Sequence, residues 1–399
     1  MHVSKRTLGL GTESAFEVLA QVNKMRSEGK DIISFCIGQP DFDTPAHIKK
    51  AAISAIDEGK TGYTDSAGAL HAREAVARYL SKTRNIDVKP DHVVIANGAK
   101  PFIAYAIACT TDPGLGEEVI YPNPGYPIYE SQISAQGAVP IPLPLVEKKN
   151  FSFEISELES RITKKTKLLI LNTPQNPTGG VLSREDLEEI AVLAKKHNFW
   201  VYADEVYSQI VYGKKFESIA SIDGMYERTL ISDGASKAYA MTGWRVGFAA
   251  NATLAPHISK WITNIEGCAN NMTQYALKQA LEGPHDETIK MVASFKERRD
   301  LVVKLLNEIE GVSCHLPGGA FYAFPNVSAA LKNLNLKNSI ELQELLMQNG
   351  VAVLADTHFG RHNHGDHDHH IRLSYATSKD NIINGIARMK KVMGEKKPK

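Results

Sequence analysis

Six short apolar runs punctuate the first 250 residues, at 93–96, 118–121, 168–171, 200–203, 229–232 and 246–250. Their apolar positions follow one another without alternation, so each predicts a strand buried on both faces. Longer amphipathic stretches separate them and read as helices. The pattern predicts an α/β architecture, a mostly parallel sheet with helices outside it. Helix starts are marked at Asp43-Thr44-Pro45, a cap followed by proline in the first turn, and at Ser183-Arg184-Glu185-Asp186, a capping box. After about Gly283 the texture changes. A charged helix over 285–310 keeps Ile289, Val292, Phe295, Leu301, Val302, Leu305 and Leu306 as its apolar positions. A Pro317-Gly318-Gly319 turn follows, then a strand at 321–324, a helix at 339–349, a strand at 371–374 and a helix from Lys379 onward. This half predicts a smaller α+β domain, and 395–399 reads as a solvated tail.

Composition narrows the function. The 399 residues correspond to roughly two to three domains. Lysine and arginine number 46 against 45 acidic residues, a formal charge of +1. That balance argues against nucleic acid as the main partner, because neutralising phosphates takes an excess of cations. Cys36, Cys109, Cys268 and Cys314 lie far apart without a paired spacing, and read as reduced thiols. No apolar run approaches the ~20 residues of a membrane helix. Residues 1–20 lack a signal-peptide core, so the cytoplasm is the expected location and no membrane partner is expected. Six of the fourteen histidines, His358, His362, His364, His367, His369 and His370, fall between 358 and 370. Imidazole is a common metal ligand, yet no carboxylate or cysteine spacing fixes a geometry. The segment therefore reads as a polar loop that binds metal only incidentally, and no metal residue is assigned.

Candidate chemistry gathers just after the predicted strands. Asn97-Gly98-Ala99-Lys100 turns into a helix opened by Pro101, so its N–H groups either hold a phosphate or form a plain strand-to-helix turn. Asn172-Thr173-Pro174-Gln175-Asn176-Pro177-Thr178-Gly179 fixes a loop at the carboxyl end of the sheet, where α/β proteins bind ligands. Asp204 follows the run 200–203. A carboxylate there either caps a helix or faces a cation, since burying it unpaired costs several kcal/mol. Lys237, after Ser232-Asp233-Gly234-Ala235-Ser236, is either an ordinary surface lysine or an amine nucleophile toward an aldehyde. Arg245 has the fork geometry that suits a phosphate.

Asn-Pro-Thr-Gly at 176–179, Asp-Glu-Val-Tyr at 204–207, Ser-Lys at 236–237 and Gly-Trp-Arg-Val-Gly at 243–247 occur in that order. With them, nearly the whole chain, from Gly38-Gln39-Pro40-Asp41-Phe42 to Arg372-Leu373-Ser374-Tyr375, resembles the fold-type I pyridoxal-phosphate enzymes of the class I and II aminotransferase family. The resemblance implies a large cofactor domain (46–283) with a seven-stranded, mostly parallel sheet, a small domain (284–399) and an N-terminal segment (1–45) packing with the latter. It implies pyridoxal 5′-phosphate as cofactor, bound to Lys237 as a Schiff base and paired through Asp204 at the pyridine nitrogen. Tyr207 and Asn176 then bond the phenolic oxygen, and Tyr126 stacks on the ring. Arg245, Ser236 and the backbone of Gly98, Ala99 and Lys100 hold the phosphate. Tyr63 reaches the cofactor of a second subunit, which implies a homodimer. Arg372 forks onto the substrate α-carboxylate, assisted by Gly38 and Asn176.

Two departures stand out. Gly234 occupies a position where many relatives carry a hydroxyl residue, leaving Ser232 or Ser236 to substitute, and Ala99-Lys100 offers fewer side-chain donors than is usual. The expected activity is transfer of an amino group from an L-amino acid to a 2-oxo acid such as 2-oxoglutarate in a ping-pong cycle. Aspartate is the first guess for the donor; alanine and aromatic amino acids follow. The nearest rival is a C–S β-lyase, which would release pyruvate from cystathionine with no oxo acid required. A cofactor-sensing regulator would need an appended DNA-binding domain, for which the chain leaves no evident room. A metal-handling protein would lose its main activity with residues 358–370.

Overall fold

The computed structural model describes residues 1–362 and 368–395. His364, His367 and the last four residues of the tail lie outside the described residues. In chain order the strands are β1 (Ile33–Ser34), β2 (Val93–Ala96), β3 (Glu118–Asn123), β4 (Val139–Pro144), β5 (Thr166–Asn172), β6 (Trp200–Asp204), β7 (Thr229–Gly234) and β8 (Gly247–Ala250). Short strands follow at β9 (Tyr322–Ala323), β10 (Val351–Ala352), β11 (Leu354–Ala355) and β12 (Ile371–Ser374).

The main sheet has seven strands in the order β2-β8-β7-β6-β5-β3-β4. Only β8 runs antiparallel to its neighbours. Successive residues feed opposite layers. Val93 and Ile95 pack into one apolar cluster, Val94 and Ala96 into the other, and all four are buried. At roughly 1.5–3 kcal/mol for each large buried side chain, this double burial explains runs without alternation. The sequence pattern gives no hint of β4, whose residues include Pro140, Pro142 and Pro144. It pairs with β3 alone, and an edge strand tolerates residues that donate no ladder hydrogen bond.

The second half has the predicted elements. The helix Asp286–Leu306 packs against the helix Lys379–Met393, and a three-stranded sheet, β11-β12-β9, lies beside them. The chain's beginning joins this half, because β1 pairs in parallel with β10. The Ser183 box forms as expected, with Asp186 as its reciprocal partner. The cap at Asp43-Thr44 does not. Thr44 is buried; its hydroxyl donates to the Ala240 carbonyl at 2.7 Å and accepts from the Trp244 indole at 3.0 Å, so it ties the chain to the loop beyond Lys237. The helix Ala46–Asp57 starts after Pro45 without a side-chain cap. Among the described residues no helix is long and apolar enough to cross a membrane.

This topology fixes the site. Strands β2, β5, β6 and β7 run the same way, so their carboxyl ends share one edge of the sheet. The antiparallel β8 brings its beginning, and Arg245 just before it, to that same edge.

Candidate active site

A cavity of about 490 Å³ opens at this edge. Lys237, Asp204, Asn176, Tyr207, Tyr126, Arg245, Ser236, Gly38, Ala99, Lys100 and Arg372 all line it. Gly98 is not among the lining residues but packs against Arg245, which is. Tyr63 is 95% exposed and takes no part in this chain's own cavity.

Lys237 sits in the short helix Ala235–Ala238 immediately after β7. Its amine donates to the Gly38 carbonyl at 2.7 Å and lies over the ring of Tyr207 at 5.7 Å. Burial, helped by the positive charges of Arg372 and Arg245, lowers its pKa from the ordinary 10.5 to about 8. A neutral amine is thus accessible near physiological pH, as a nucleophile requires.

Asp204 ends β6 and is buried. The Tyr129 hydroxyl donates to its Oδ2 at 2.6 Å, while Oδ1 has no hydrogen-bond partner. Burial raises its pKa to about 6 against the opposing Tyr129 bond. Leaving a buried carboxylate oxygen unmet costs ~1–3 kcal/mol or more, so this oxygen could take a cationic donor that none of the described residues supplies. Asn172 of β5 supports the strand end by donating to the Asp204 carbonyl at 3.1 Å.

Arg372, on β12, is buried, and its guanidinium lies 4.6 Å from the ring centroids of both Tyr322 and Phe359. It donates to Asn176 Oδ1 at 2.9 Å and to the Cys36 carbonyl, while its Nε–H has no partner. Two aromatic faces hold the fork flat and leave a donor for an anion. With Asn176 Oδ1 engaged, the amide's Nδ2 is left to donate elsewhere. Tyr207 shares a 2.7 Å hydroxyl hydrogen bond with Tyr322.

The helix Pro101–Thr110 starts at this edge, and its first N–H groups could hold an anion. Gly98 has φ of 103°, a backbone conformation that favours glycine, and a Cβ there would displace the Arg245 guanidinium that packs on this turn. Packing is also tight at Gly234. A Cβ at that position would lie 3.2 Å from Gly247 Cα and 3.3 Å from the Val246 carbonyl. Between the two serines left to substitute, Ser236 lines the cavity and Ser232 is wholly buried outside its lining.

Several site residues escaped the sequence reading. Glu13 enters the cavity from the N-terminal segment, hydrogen-bonding Tyr126 and forming an ion pair with Lys100. No local signal marks it, since its partners lie about a hundred residues away. Tyr129 drew no reading of its own, and Tyr322 was legible only as part of a strand. Behind the edge, Arg84 bonds Glu205 at 2.9 Å and Asp233 at 2.7 Å, all three buried. Ser218 donates to the other Glu205 oxygen at 2.5 Å, Ser208 donates at 3.0 Å to the Asp233 oxygen that Arg84 holds, and the Gly234 N–H donates to the second Asp233 oxygen at 2.7 Å. The network braces the two strand ends that carry Asp204 and Lys237. Arg84→Met is expected to destabilise the fold by about 3–5 kcal/mol, because it strands two buried carboxylates. Denaturant unfolding of the apoprotein measures this.

Comparison with known proteins follows the same lines. The family model "Aminotransferase class I and II" matches residues 30–389. The chain is 40% identical over 374 residues to an aspartate aminotransferase of Pyrococcus abyssi, covering 92% of this chain and 93% of the relative. It is equally similar, 40% over 372 residues and 92% of both chains, to aromatic-amino-acid aminotransferase 2 of Thermococcus litoralis. The solved aspartate aminotransferase of Thermus thermophilus with maleate superposes with a TM-score of 0.91 at 30% identity, covering 98% of this chain and all of that one.

Proposed function

The chain belongs to the class I and II aminotransferase family and is a transaminase, and from that premise we propose that its cavity holds pyridoxal 5′-phosphate and serves an acidic amino acid, aspartate first, with 2-oxoglutarate as acceptor. The observation that carries this reading is Asp204 Oδ1, a buried carboxylate oxygen without a donor in the same cavity as the Lys237 amine. A cofactor with a protonated ring nitrogen, an aldehyde and a phosphate matches that carboxylate, that amine and the Gly98–Arg245 seat. When bound, pyridoxal phosphate supplies an aldehyde that joins to amines and a ring that accepts the electron pair left by a departing α-proton.

The chain's residues do the rest. Asp204 keeps the ring nitrogen's proton in place. Tyr207 and the free Nδ2 of Asn176 donate to the phenolic oxygen, and Tyr126 covers the ring. Arg245, Ser236 and the N–H groups of Gly98, Ala99 and Lys100 hold the phosphate. Arg372, with Asn176 and Gly38, fixes the substrate α-carboxylate. Lys237 tethers the cofactor at rest; displaced by the substrate's amine, its Nζ takes the α-proton and returns it one position away as a general acid. Tyr63, exposed here, reaches the phosphate of a partner subunit's cofactor in a homodimer. Residues 46–283 act as the cofactor body, with 284–399 and 1–45 as the small domain. A cytoplasmic setting is in keeping with four free thiols.

Lys100 supports the acidic substrate. Of the lining cations, Lys237, Arg245 and Arg372 have other duties, which leaves the Lys100 ammonium for a distal carboxylate once Glu13 releases it. The relative solved with maleate, a dicarboxylate, is an aspartate aminotransferase. A screen of amino donors against 2-oxoglutarate tests this. Aspartate or glutamate is expected to lead in kcat/KM, and Lys100→Ala should erase the lead by roughly tenfold, about 1.4 kcal/mol. A wild-type preference for alanine or aromatic donors overturns the substrate assignment. Arg372→Lys is expected to lower kcat/KM about 30–150-fold for every donor, since a lysine loses the flat two-pronged fork, a loss of roughly 2–3 kcal/mol. Steady-state kinetics with two unlike donors reads this directly.

A further inference from the structure

The histidine-rich segment shows something its spacing did not. Asp356, which precedes the run, is buried and its carboxylate is fixed: Ser339 donates to Oδ1 at 2.5 Å, and the His370 backbone N–H donates to Oδ2 at 2.8 Å. That same Oδ2 faces His362 Nε2 at 3.5 Å and His369 Nδ1 at 3.7 Å. The three ligand atoms lie within 4.8 Å of one another, and the two imidazole rings stand 4.7 Å apart.

These separations exceed a normal hydrogen bond. The two distances from Asp356 Oδ2 approach the ~3.3 Å between neighbouring donors around a tetrahedral ion with ~2.0–2.1 Å bonds to nitrogen and oxygen. The carboxylate is already oriented by two bonds to the protein, as outer partners orient a metal ligand. His362 remains partly exposed, which gives an ion a way in and a solvent position for a fourth ligand. We propose that Asp356, His362 and His369 form a binding site for a divalent transition-metal ion, with zinc the best match to two imidazoles, one carboxylate and an open position.

The location gives the ion a structural task. Asp356 begins the turn Asp356–Phe359, whose His358 and Phe359 line the cavity. His369 stands just before β12, which carries Arg372. One ion would bind both ends of the connection that places Phe359 over Arg372.

Holoenzyme stripped with a chelator and desalted is titrated with Zn²⁺ by calorimetry. One ion per chain is expected. His362→Ala and His369→Ala should each weaken binding at least tenfold, and the double variant should abolish the stoichiometric site. His364→Ala/His367→Ala should retain it. Circular dichroism and the retained visible absorbance of the bound cofactor confirm that the variants fold, which keeps this test separate from the catalytic assignment. No stoichiometric binding by the wild type, wild-type affinity in the His362/His369 double variant, or loss in the His364/His367 variant overturns the proposal.

Discussion

Lys237→Ala is expected to lower transamination at least ~10⁴-fold and to remove the visible absorbance of the bound cofactor, while the fold persists. The size follows from losing two functions at once, the covalent anchor and the proton carrier, each worth orders of magnitude alone. Among the lining residues the one other amine, Lys100, is paired with Glu13. The pKa of about 8 adds a signature in the apoprotein. The neutral amine fraction grows about tenfold per pH unit below 8 and levels off above it. The rate of covalent cofactor capture should therefore rise steeply from pH 6 to 8 and flatten beyond. A rise continuing toward pH 10 would mean that burial does not depress this lysine.

Asp204→Ala should leave the cofactor bound yet nearly inert, with turnover down ~10³-fold or more, comparable to removing one well-placed charged group from an active site. Binding survives because the phosphate seat and Lys237 are untouched. The pH logic has a definite sign. Without a cation, burial pushes this carboxyl up to about 6, so the apoprotein keeps it protonated at acidic pH values where a free aspartate is already ionised. A cationic ring nitrogen pulls the value back down. Stability measurements should show it: Asp204 destabilises the apoprotein as pH rises through the interval from 3.8 to about 6, and cofactor removes that cost at neutral pH. Full activity in the alanine variant would refute the role of Asp204.

How far the chain could be read from its letters depended on whether the cause was local. Strands β2, β5, β6 and β7 were legible because burial on both faces forces unbroken apolar runs. The motifs at 176–179, 204–207 and 236–237 were legible because each follows such a strand. The edge strand β4 was hidden, since its prolines are permitted only by having one neighbour. Thr44 looked like a cap, yet tertiary partners at Ala240 and Trp244 outbid the local use of its hydroxyl. Glu13, Arg84 and Asp356 were invisible for one shared reason: each gains its meaning from residues far along the chain. Gly234 shows the reverse case, a departure that looked chemical and lies at a tightly packed point, where a Cβ would crowd Gly247 and Val246.

The central claim is that Lys237 holds the cofactor covalently. Reducing the purified holoenzyme with borohydride, digesting it and sequencing the labelled peptide tests that claim most directly. A pyridoxyl label on the lysine that follows Gly234-Ala235-Ser236 is the expected result. A label on any other lysine, or none at all, contradicts the account.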